Sequence, residues 1–187
     1  MLKRSFDILV VIVFAAPLIL ISLAVALAVR LTSKGPALYW SRRMGAHGCE
    51  FEMPKFRTMR TGAPELATHL LKDAKSWLTP VGAVLRKSSL DELPQFYSVL
   101  RGDMSLVGPR PALHNQADLI AARHERGVQV LRPGITGWAQ VNGRDELPIP
   151  VKVEYDTQYL MRRSFPFDLR IIMMTLGNVL YRKGVSH

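Results

Sequence analysis

The sequence is poor in cysteine and lacks the common metal-binding patterns. Cys49 is the single cysteine among 187 residues, so an intramolecular disulfide and a cysteine-rich metal site are excluded. The chain contains no CxxC or HExxH pattern, and its five histidines show no ligand spacing. It also lacks the P-loop, the dinucleotide-binding glycine pattern and the GxSxG nucleophile elbow. The chain therefore carries none of these common metal, nucleotide or nucleophile signatures.

Acidic residues are scarce as well. The chain has 15 Asp and Glu against 25 Lys and Arg, which gives a formal net charge of +10. This excess predicts an anionic partner, either nucleic acid, anionic lipid or a phosphorylated substrate. Hydrophobic residues make up 48% of the chain, which argues against wholesale disorder. The length suits one domain with a small appendage.

Charge is missing altogether from residues 8–29. As a helix this run spans about 33 Å, enough for a hydrocarbon core of about 30 Å. It exceeds the apolar region of a signal peptide, which is about 7–15 residues long. Basic residues flank both ends, so they favour neither spanning orientation. Because Pro17 predicts a kink, a bent helix that enters and leaves one leaflet and a straight spanning helix both stay open.

The rest of the chain has the pattern of a mixed, mostly helical α+β globule. Short strands at 37–40 and 51–56 with a turn-rich connection predict a hairpin. Apolar spacing and turn signals predict helices over 64–78, 93–101, 114–126, 154–161 and 165–183. Gly and Pro make 102–113 and 132–150 irregular. The last helix carries one apolar face, and it either lies on an anionic membrane or packs into the core.

The most informative stretch contains an acidic pair, Asp91 and Glu92. Ser89 and Glu92 have capping-box spacing, which predicts a helix start at Ser89. Pro94 would cost that helix an internal hydrogen bond, so a start near Pro94 stays open, with the pair in the preceding loop. Acidic residues in a first turn often serve only to stabilise a helix. Basic neighbours such as Arg86 suggest more, because an ionised Asp91 could act as a nucleophile or hold Mg²⁺.

The other polar signals are cationic. Lys55 and Arg57 alternate along a predicted strand, so both would point to one face. Arg110 stands between two prolines and Arg132 precedes Pro-Gly, which restricts their backbones. Arginines on such loops suit phosphate recognition. Together with an acidic pair they indicate phosphoryl transfer, in which cations neutralise phosphates and a carboxylate attacks or holds the metal.

These residues fall in blocks that resemble a known family. The blocks are KRSFD (3–7), KFRTM (55–59), SLDELPQ (89–95), GDMSLVGPRP (102–111), RPGITGW (132–138) and EYD (154–156). In this order they resemble the bacterial sugar transferases known as monotopic phosphoglycosyl transferases, in the short form that is a minimal catalytic unit. The resemblance covers nearly the whole chain.

The resemblance implies a two-part organisation. Residues 1–34 would form a re-entrant membrane helix and its flanks, kinked at Pro17, where the family has Ser-Pro and this chain has Ala16-Pro17. Residues 35–187 would form a cytoplasmic catalytic domain with amphipathic interfacial helices, including a C-terminal one. The family works at the cytoplasmic face of the bacterial inner membrane, so contact with membrane lipid is expected.

The resemblance also implies a reaction. A phospho-sugar would pass from a UDP-sugar to polyprenol (undecaprenyl) phosphate through a covalent intermediate on Asp91, with release of UMP, as the first membrane step of a glycan assembly pathway. Mg²⁺ near Asp91 would offset diphosphate charge, and Glu92 would orient the nucleophile or the metal. The candidate substrate-binding residues are Lys55, Arg57, Arg86, Arg110, Arg132 and Asp156.

One alternative hypothesis competes with this reaction. The chain could be a non-enzymatic, membrane-anchored basic module that binds anionic lipid or nucleic acid. The enzyme hypothesis expects no nucleic-acid partner and leaves a homo-oligomer open. The ordered arginine blocks around one acidic pair favour the enzyme.

Overall fold

The computed structural model describes residues 2–64, 74–143 and 147–180. These ranges are mostly helical with a few short strands, as the predicted α+β class requires. In chain order the elements are α1 (Leu2–Val13), α2 (Ala15–Thr32), β1 (Leu38–Met44), β2 (Glu50–Phe56), α3 (Gly82–Ser88), α4 (Gln95–Arg101), β3 (Ser105–Val107), α5 (Ala117–Glu125), β4 (Gly134–Thr136), α6 (Trp138–Val141), α7 (Ile149–Arg162) and α8 (Phe165–Leu180). Short 3₁₀ turns lie at Ala46–Gly48, Ala74–Trp77, Leu90–Glu92 and Val128–Val130.

The apolar N-terminal run forms two helices that are separated at Phe14. Phe14 has φ −94° and ψ 7°, but backbone hydrogen bonds to Val10 and from Leu18 continue across the junction. Pro17 follows within one turn; it has no N–H to offer the Val13 carbonyl, and its ring crowds the turn before it. The interruption therefore precedes the predicted kink position by less than one turn. The re-entrant path itself stays a prediction.

The basic residues of the KRSFD block attach α1 to the globule. Lys3 donates hydrogen bonds to the Val107 carbonyl at 3.0 Å and to Asp168 Oδ2 at 2.6 Å. Arg4 donates to two carbonyls near the C-terminal end of α4. Carbonyls at a helix end have no intrahelical partner, and a cation is favourable there. These contacts join the start of the apolar run to β3, α4 and α8.

The acidic residue of the same block is buried. Asp7 accepts a hydrogen bond from the Ser105 hydroxyl at 2.7 Å and one from the Leu106 N–H at 3.3 Å. A buried carboxylate is tolerated only when such donors replace its water. The KRSFD block is therefore part of the fold itself, and it fixes where the apolar run leaves the globule.

Helix α2 exposes almost all of its apolar surface. In the described part of the chain it is the one helix with the length and composition to cross a membrane. Only Val25 and Val29 of α2 are buried, and they pack with Phe56 and Leu85. Water-soluble surfaces rarely carry contiguous apolar patches of this kind. The finding is consistent with membrane association.

The predicted hairpin is confirmed. Strands β1 and β2 pair antiparallel, with Tyr39 opposite Lys55 and Met44 opposite Glu50. On β2, Phe51 and Met53 point into the main core, together with Val99 of α4 and Ile171 of α8. The same alternation places Lys55 on this face near the end of the strand, where its Nζ donates a hydrogen bond to Glu92 at 2.8 Å.

A second, parallel pair of strands lies inside segments that were predicted to be irregular. Ser105 pairs with Gly134 and Val107 with Thr136. Gly134 is required because a Cβ there would overlap the Gly108 backbone, and a Cβ on Gly108 would overlap the Arg132 carbonyl. Strands this short carry no readable periodicity, so the prediction of loops over these residues was wrong there. The pairing fixes the backbone directly before the Pro-Arg-Pro sequence.

Four of the remaining helices follow the predictions with different boundaries, whereas α3 and α6 were not predicted, and α6 lies inside the segment 132–150 that was predicted to be irregular. Helices α4, α5, α7 and α8 confirm the predictions over 93–101, 114–126, 154–161 and 165–183. Most of the helix predicted over 64–78 lies outside the described residues, and Ala74–Trp77 is a 3₁₀ turn. In α8, Phe167 and Ile171 are buried, whereas Leu169, Met173 and Leu176 are exposed. Part of the predicted apolar face is therefore free to meet a membrane.

Candidate active site

The acidic pair lies in a 3₁₀ turn, Leu90–Glu92, between α3 and α4. The Ser89 side chain makes no cap hydrogen bond, so the predicted capping-box helix was wrong. Helix α4 begins only at Gln95, directly after Pro94, which confirms the alternative start. The pair thus occupies a tight connection between two helices, where its side chains can point into a shared space.

Ser89 reverses the chain at the start of this turn. Its φ of 57° is in the left-handed region, and its N–H caps α3 by bonding to the Arg86 and Leu85 carbonyls. Helices often end in this way, but the position normally belongs to glycine. A residue with a Cβ is less stable in this conformation by about 1–2 kcal/mol. Such strain often accompanies functional sites.

Glu92 is held by two cations. Its Oε1 accepts a hydrogen bond from Lys55 Nζ at 2.8 Å and from the Arg110 guanidinium at 3.0 Å. Burial by itself favours the neutral acid, but Arg110 and Lys55 outweigh it and hold the pKa of Glu92 well below its usual range. Glu92 is therefore a fixed anion that orients both cations.

Asp91 is buried but, unlike Glu92, has no hydrogen-bond donor among the described residues. The residue is 8% exposed, and within the described ranges no group donates a hydrogen bond to its carboxylate. Burial raises the pKa of Asp91, and Glu92 adds to this effect, while Lys55, Arg86 and Arg110 oppose it. A carboxylate that is desolvated, surrounded by cations and not committed to a hydrogen bond has the properties of a nucleophile.

Arg86 and Lys55 complete the cationic surroundings of Asp91. The Arg86 Nε donates to the Thr58 hydroxyl at 2.9 Å, which fixes the guanidinium beside the Asp91 charge. Burial lowers the pKa of Lys55, with Arg110 adding to the effect and Glu92 opposing it. The structure therefore brings together Lys55, Arg86, Asp91, Glu92 and Arg110, all predicted from the sequence. We call these five residues the acidic-turn cluster.

A buried ion pair contacts the backbone of Arg110 and positions it. The Arg123 guanidinium donates two hydrogen bonds to Asp156 Oδ2, at 2.9 and 2.6 Å, and a third to the Arg110 carbonyl at 2.8 Å. Burial raises the pKa of Asp156, and Arg123 opposes it. Asp156 is 1% exposed, so the structure places it behind the Arg110 loop and not at the surface of the cluster. Asp156 instead acts on the Arg110 loop through Arg123.

Sequence reasoning missed Arg123, although a signal was available. Arg123 follows Leu119 by four residues in a predicted helix, so both lie on one face. Both are buried. A basic residue on an apolar helix face calls for a buried carboxylate partner. The EYD block supplied that partner in Asp156, but their proximity depends on how α5 packs against α7.

Two other predicted substrate contacts lie elsewhere. Arg57 is buried. Its guanidinium donates hydrogen bonds to three backbone carbonyls, those of Pro36 at 2.8 Å, Lys34 at 2.6 Å and Ser33 at 3.1 Å. It stabilises the turn after α2 and does not join the acidic-turn cluster. Arg132 lies on the wall of a different cavity, at the start of α1. In both cases backbone packing, which the sequence pattern does not report, decides the direction of the side chain.

The fold and the acidic-turn cluster define a class of protein. A buried, uncommitted carboxylate beside a fixed ion-pair network suits covalent chemistry on an anionic substrate. An exposed apolar helix leads into the same globule. The arrangement is that of an enzyme with a membrane-type helix.

Comparison with known proteins identifies the family. The family model described as bacterial sugar transferase matches residues 1–182. The sugar transferase EpsL of Bacillus subtilis is 41% identical over 185 residues, covering 99% of this chain and 90% of EpsL. The chain therefore belongs to the bacterial sugar transferase family. This family membership replaces the alternative of a non-enzymatic binding module.

Two other relatives have names that state a reaction. The UDP-glucose:undecaprenyl-phosphate glucose-1-phosphate transferase of Xanthomonas campestris is 44% identical, over 86% of this chain but 35% of its own length. The UDP-N-acetylgalactosamine-undecaprenyl-phosphate N-acetylgalactosaminephosphotransferase of Aeromonas hydrophila is 35% identical, over 96% of this chain and 44% of its own length. The chain spans less than half of each of these two longer proteins.

Proposed function

We propose that this protein transfers a sugar phosphate from a UDP-sugar to polyprenol phosphate and releases UMP. The names of the relatives support the lipid phosphate as acceptor and a UDP-sugar as donor. The observation that carries the proposal is that the two carboxylates of the acidic turn have different hydrogen-bond partners. Glu92 is committed to Lys55 and Arg110, whereas Asp91 accepts no hydrogen bond within the described residues.

The reaction has two displacements at one phosphorus atom. An Asp91 carboxylate oxygen attacks the phosphorus that carries the sugar, and the bond from that phosphorus to the UMP oxygen breaks. UMP leaves with the electron pair, and the phospho-sugar remains on Asp91. A polyprenol phosphate oxygen then attacks the same phosphorus, the bond to Asp91 breaks, and polyprenol diphosphate sugar leaves. The acceptor is largely ionised at neutral pH, so no general base is required.

The cations of the cluster act on the phosphates. Lys55, Arg86 and Arg110 surround the attacking carboxylate and can offset the charge that moves to UMP. Glu92 holds Lys55 and Arg110 in place before the substrate arrives, so little reorganisation is needed. We propose this role for Glu92 beside the orientation of the nucleophile or the metal that the resemblance implies.

The donor set is compatible with Mg²⁺. Within the described ranges no group of three metal-ligating acids or histidines occurs, but Mg²⁺ commonly takes one or two carboxylates together with substrate phosphates and water. Asp91 fits that role because no other described group occupies its oxygens with a hydrogen bond. When bound, the ion would neutralise part of the diphosphate charge.

The proposed site in the cell is the cytoplasmic face of the bacterial inner membrane. The exposed apolar surface of α2, the interruption at Phe14 and the exposed residues of α8 support a helix that enters and leaves one leaflet. Holding a lipid acceptor and a soluble donor at one interface increases the encounter rate of the two substrates.

Product identity tests the reaction. The membrane-embedded protein is incubated with polyprenol phosphate and a panel of UDP-sugars, and the nucleotide product is identified. Release of UMP that depends on the acceptor is expected. Release of UDP would show transfer of the sugar without its phosphate and would overturn the proposal. The same panel identifies the sugar.

We predict that both ends of α1–α2 are accessible only from the cytoplasm. Cys49 is exposed and is the single cysteine, so it reports the side of the globule without further changes. Leu2→Cys in a Cys49→Ser background reports the side of the N-terminus, since Leu2 is exposed. Impermeant maleimide should label neither cysteine in intact cells and both in opened cells. Labelling of the Leu2→Cys protein in intact cells would instead demonstrate a single spanning helix.

We predict an acid limb in the rate of UMP release. The reactive form of Asp91 is ionised, and burial raises its pKa, so activity should fall at a higher pH than the ordinary aspartate value of about 3.9. Lys55 opposes that rise; Lys55→Met should therefore move the limb to still higher pH. Lys87→Met removes the same charge from an exposed neighbour and should leave the midpoint unchanged. Equal midpoints in the Lys55 variant and the unmodified protein would contradict the assignment.

A further inference from the structure

A second cationic cavity lies outside the acidic-turn cluster. It has a volume of about 470 Å³ and opens between the start of α1, strand β3 and the start of α8. None of the five cluster residues lines it. Four basic residues do: Lys3, Arg4, Arg132 and Arg163. We call this cavity the N-terminal pocket.

The acidic groups of the N-terminal pocket are already satisfied. Asp7 accepts hydrogen bonds from Ser105 and the Leu106 N–H. Asp168 accepts one from the Tyr159 hydroxyl at 2.7 Å and pairs with Lys3 at 2.6 Å. Donors from the protein therefore compensate both carboxylates, and neither requires a bound cation.

The arginines of the pocket are in the opposite situation. Arg132 and Arg163 are exposed, and within the described ranges neither forms a salt bridge or a side-chain hydrogen bond. Arg4 is used by α4 carbonyls, and Lys3 offsets Asp168. Two guanidinium groups remain at the cavity wall with a net positive balance. Guanidinium groups bind phosphate oxygens with two parallel hydrogen bonds, so this balance favours a phosphate-bearing ligand.

The position of the pocket indicates which phosphate it meets. Lys3 and Arg4 lie a few residues before the apolar run, whose exposed residues include Leu9 and Ile12. On the other wall, Ser164 precedes α8 and Phe165 begins it, and the first exposed apolar residue of α8, Leu169, follows about one turn later. A cavity between the starts of two exposed apolar surfaces lies at the level of lipid headgroups when those surfaces enter a membrane.

We propose that the N-terminal pocket binds the phosphate of an anionic glycerophospholipid through Arg132 and Arg163. This inference rests on the membrane placement in the proposed function but not on chemistry at Asp91. Occupancy would join the segment before β4, which contains Arg132, to the end of α7, which Arg163 follows, and would hold the globule against the leaflet. Arg132 thereby keeps the phosphate contact that its sequence predicts, but in a different site.

The test is a lipid titration of the full chain in detergent. The unfolding temperature is followed as short-chain phosphatidylglycerol is added, because a ligand that binds only the folded state stabilises it by RT ln(1 + [L]/Kd). The double variant Arg132→Ala with Arg163→Ala should need roughly ten-fold or more lipid for the same shift, since charge-assisted hydrogen bonds are lost. Arg132→Lys with Arg163→Lys, which keeps the charge, should fall between the two.

The controls separate the sources of phosphate. Arg60→Ala with Arg126→Ala removes the same charge from exposed positions outside the pocket and should titrate like the unmodified protein. Phosphatidylcholine should shift the unfolding temperature less than phosphatidylglycerol. Inorganic phosphate that matched phosphatidylglycerol at equal concentration would overturn the lipid assignment.

Two further outcomes would also overturn it. One is an identical phosphatidylglycerol titration for the Arg132 and Arg163 double variant and the unmodified protein. The other is a raised KM for polyprenol phosphate in that variant with an unchanged phosphatidylglycerol titration, which would assign the pocket to the acceptor. Asp91→Asn should titrate normally, so a failure of the covalent mechanism is distinguishable from a failure of this inference.

Discussion

Asp91→Asn is expected to reduce UMP release by about 10⁴-fold or more while the protein still folds and enters membranes. An amide is a far weaker nucleophile than a carboxylate, and loss of a covalent nucleophile removes most of the catalysis. Asparagine has nearly the same volume as aspartate, so the packing of the acidic turn should persist. The measurement is UMP formed per enzyme with a saturating UDP-sugar and polyprenol phosphate.

The matched control is Asp118→Asn. Asp118 is exposed on α5, and within the described residues its carboxylate accepts one hydrogen bond, from the adjacent Leu119 N–H, which an asparagine oxygen can also accept. Its activity should remain normal. A mass-spectrometric search for the intermediate completes the test: the unmodified protein, incubated with donor alone, should carry a phospho-sugar on Asp91. Full turnover by Asp91→Asn would contradict the covalent mechanism.

Glu92→Gln provides the contrast within the pair. Glutamine can still accept hydrogen bonds from Lys55 and Arg110 but loses the charge that orients them. Activity should fall, yet an adduct on Asp91 should still be detectable with donor alone. An adduct on Glu92 would instead exchange the roles of the two residues.

The second large effect is expected from the buried ion pair. Arg123→Ala leaves Asp156 with a carboxylate that is 1% exposed and has lost both hydrogen bonds to its Oδ2. Removing one member of a buried pair typically lowers the free energy of unfolding by about 3–5 kcal/mol. The Arg110 carbonyl also loses its donor, so the Pro-Arg-Pro loop loses one of the hydrogen bonds that position it. Denaturant unfolding measures the first effect.

Kinetics measure the second effect. If Arg123 positions Arg110, then Arg123→Lys, which keeps a charge for Asp156, should recover stability better than it recovers the KM for the donor. Arg126→Ala removes the same charge from an exposed position one residue past the end of the same helix, and it should cost under about 0.5 kcal/mol. A donor KM that is normal in a folded Arg123 variant would assign Arg123 to stability alone.

The acidic turn lies among cations that come from separate parts of the chain. This arrangement explains why substitutions near it have large expected effects. Lys55 comes from a strand, Arg86 from the helix before the turn and Arg110 from a Pro-bounded loop. Each is common as a surface charge on its own. Their effect arises because Asp91 is buried and Glu92 is partly buried, and the low dielectric there strengthens each interaction.

Sequence alone determined a large part of this protein. The uncharged run, the hairpin and the helices follow from hydrophobic periodicity, which is a local property of the chain. The acidic pair and its three cations follow from residue types in local context: Lys55 lies on a predicted strand, Arg86 is close to the pair in sequence, and Arg110 stands between two prolines. The family follows from the order of the blocks.

Only the tertiary structure decided which charges meet. Arg57, Arg132 and Asp156 are predicted substrate ligands in the sequence, but packing directs each side chain elsewhere. Arg57 contacts the turn after α2, Arg132 lines the N-terminal pocket, and Asp156 pairs with Arg123. Contacts between residues far apart in the chain depend on how helices and strands stack, and no local pattern encodes that distance. For the same reason the KRSFD block reads as a charged flank, and only the folded chain shows that it binds α1 to the core.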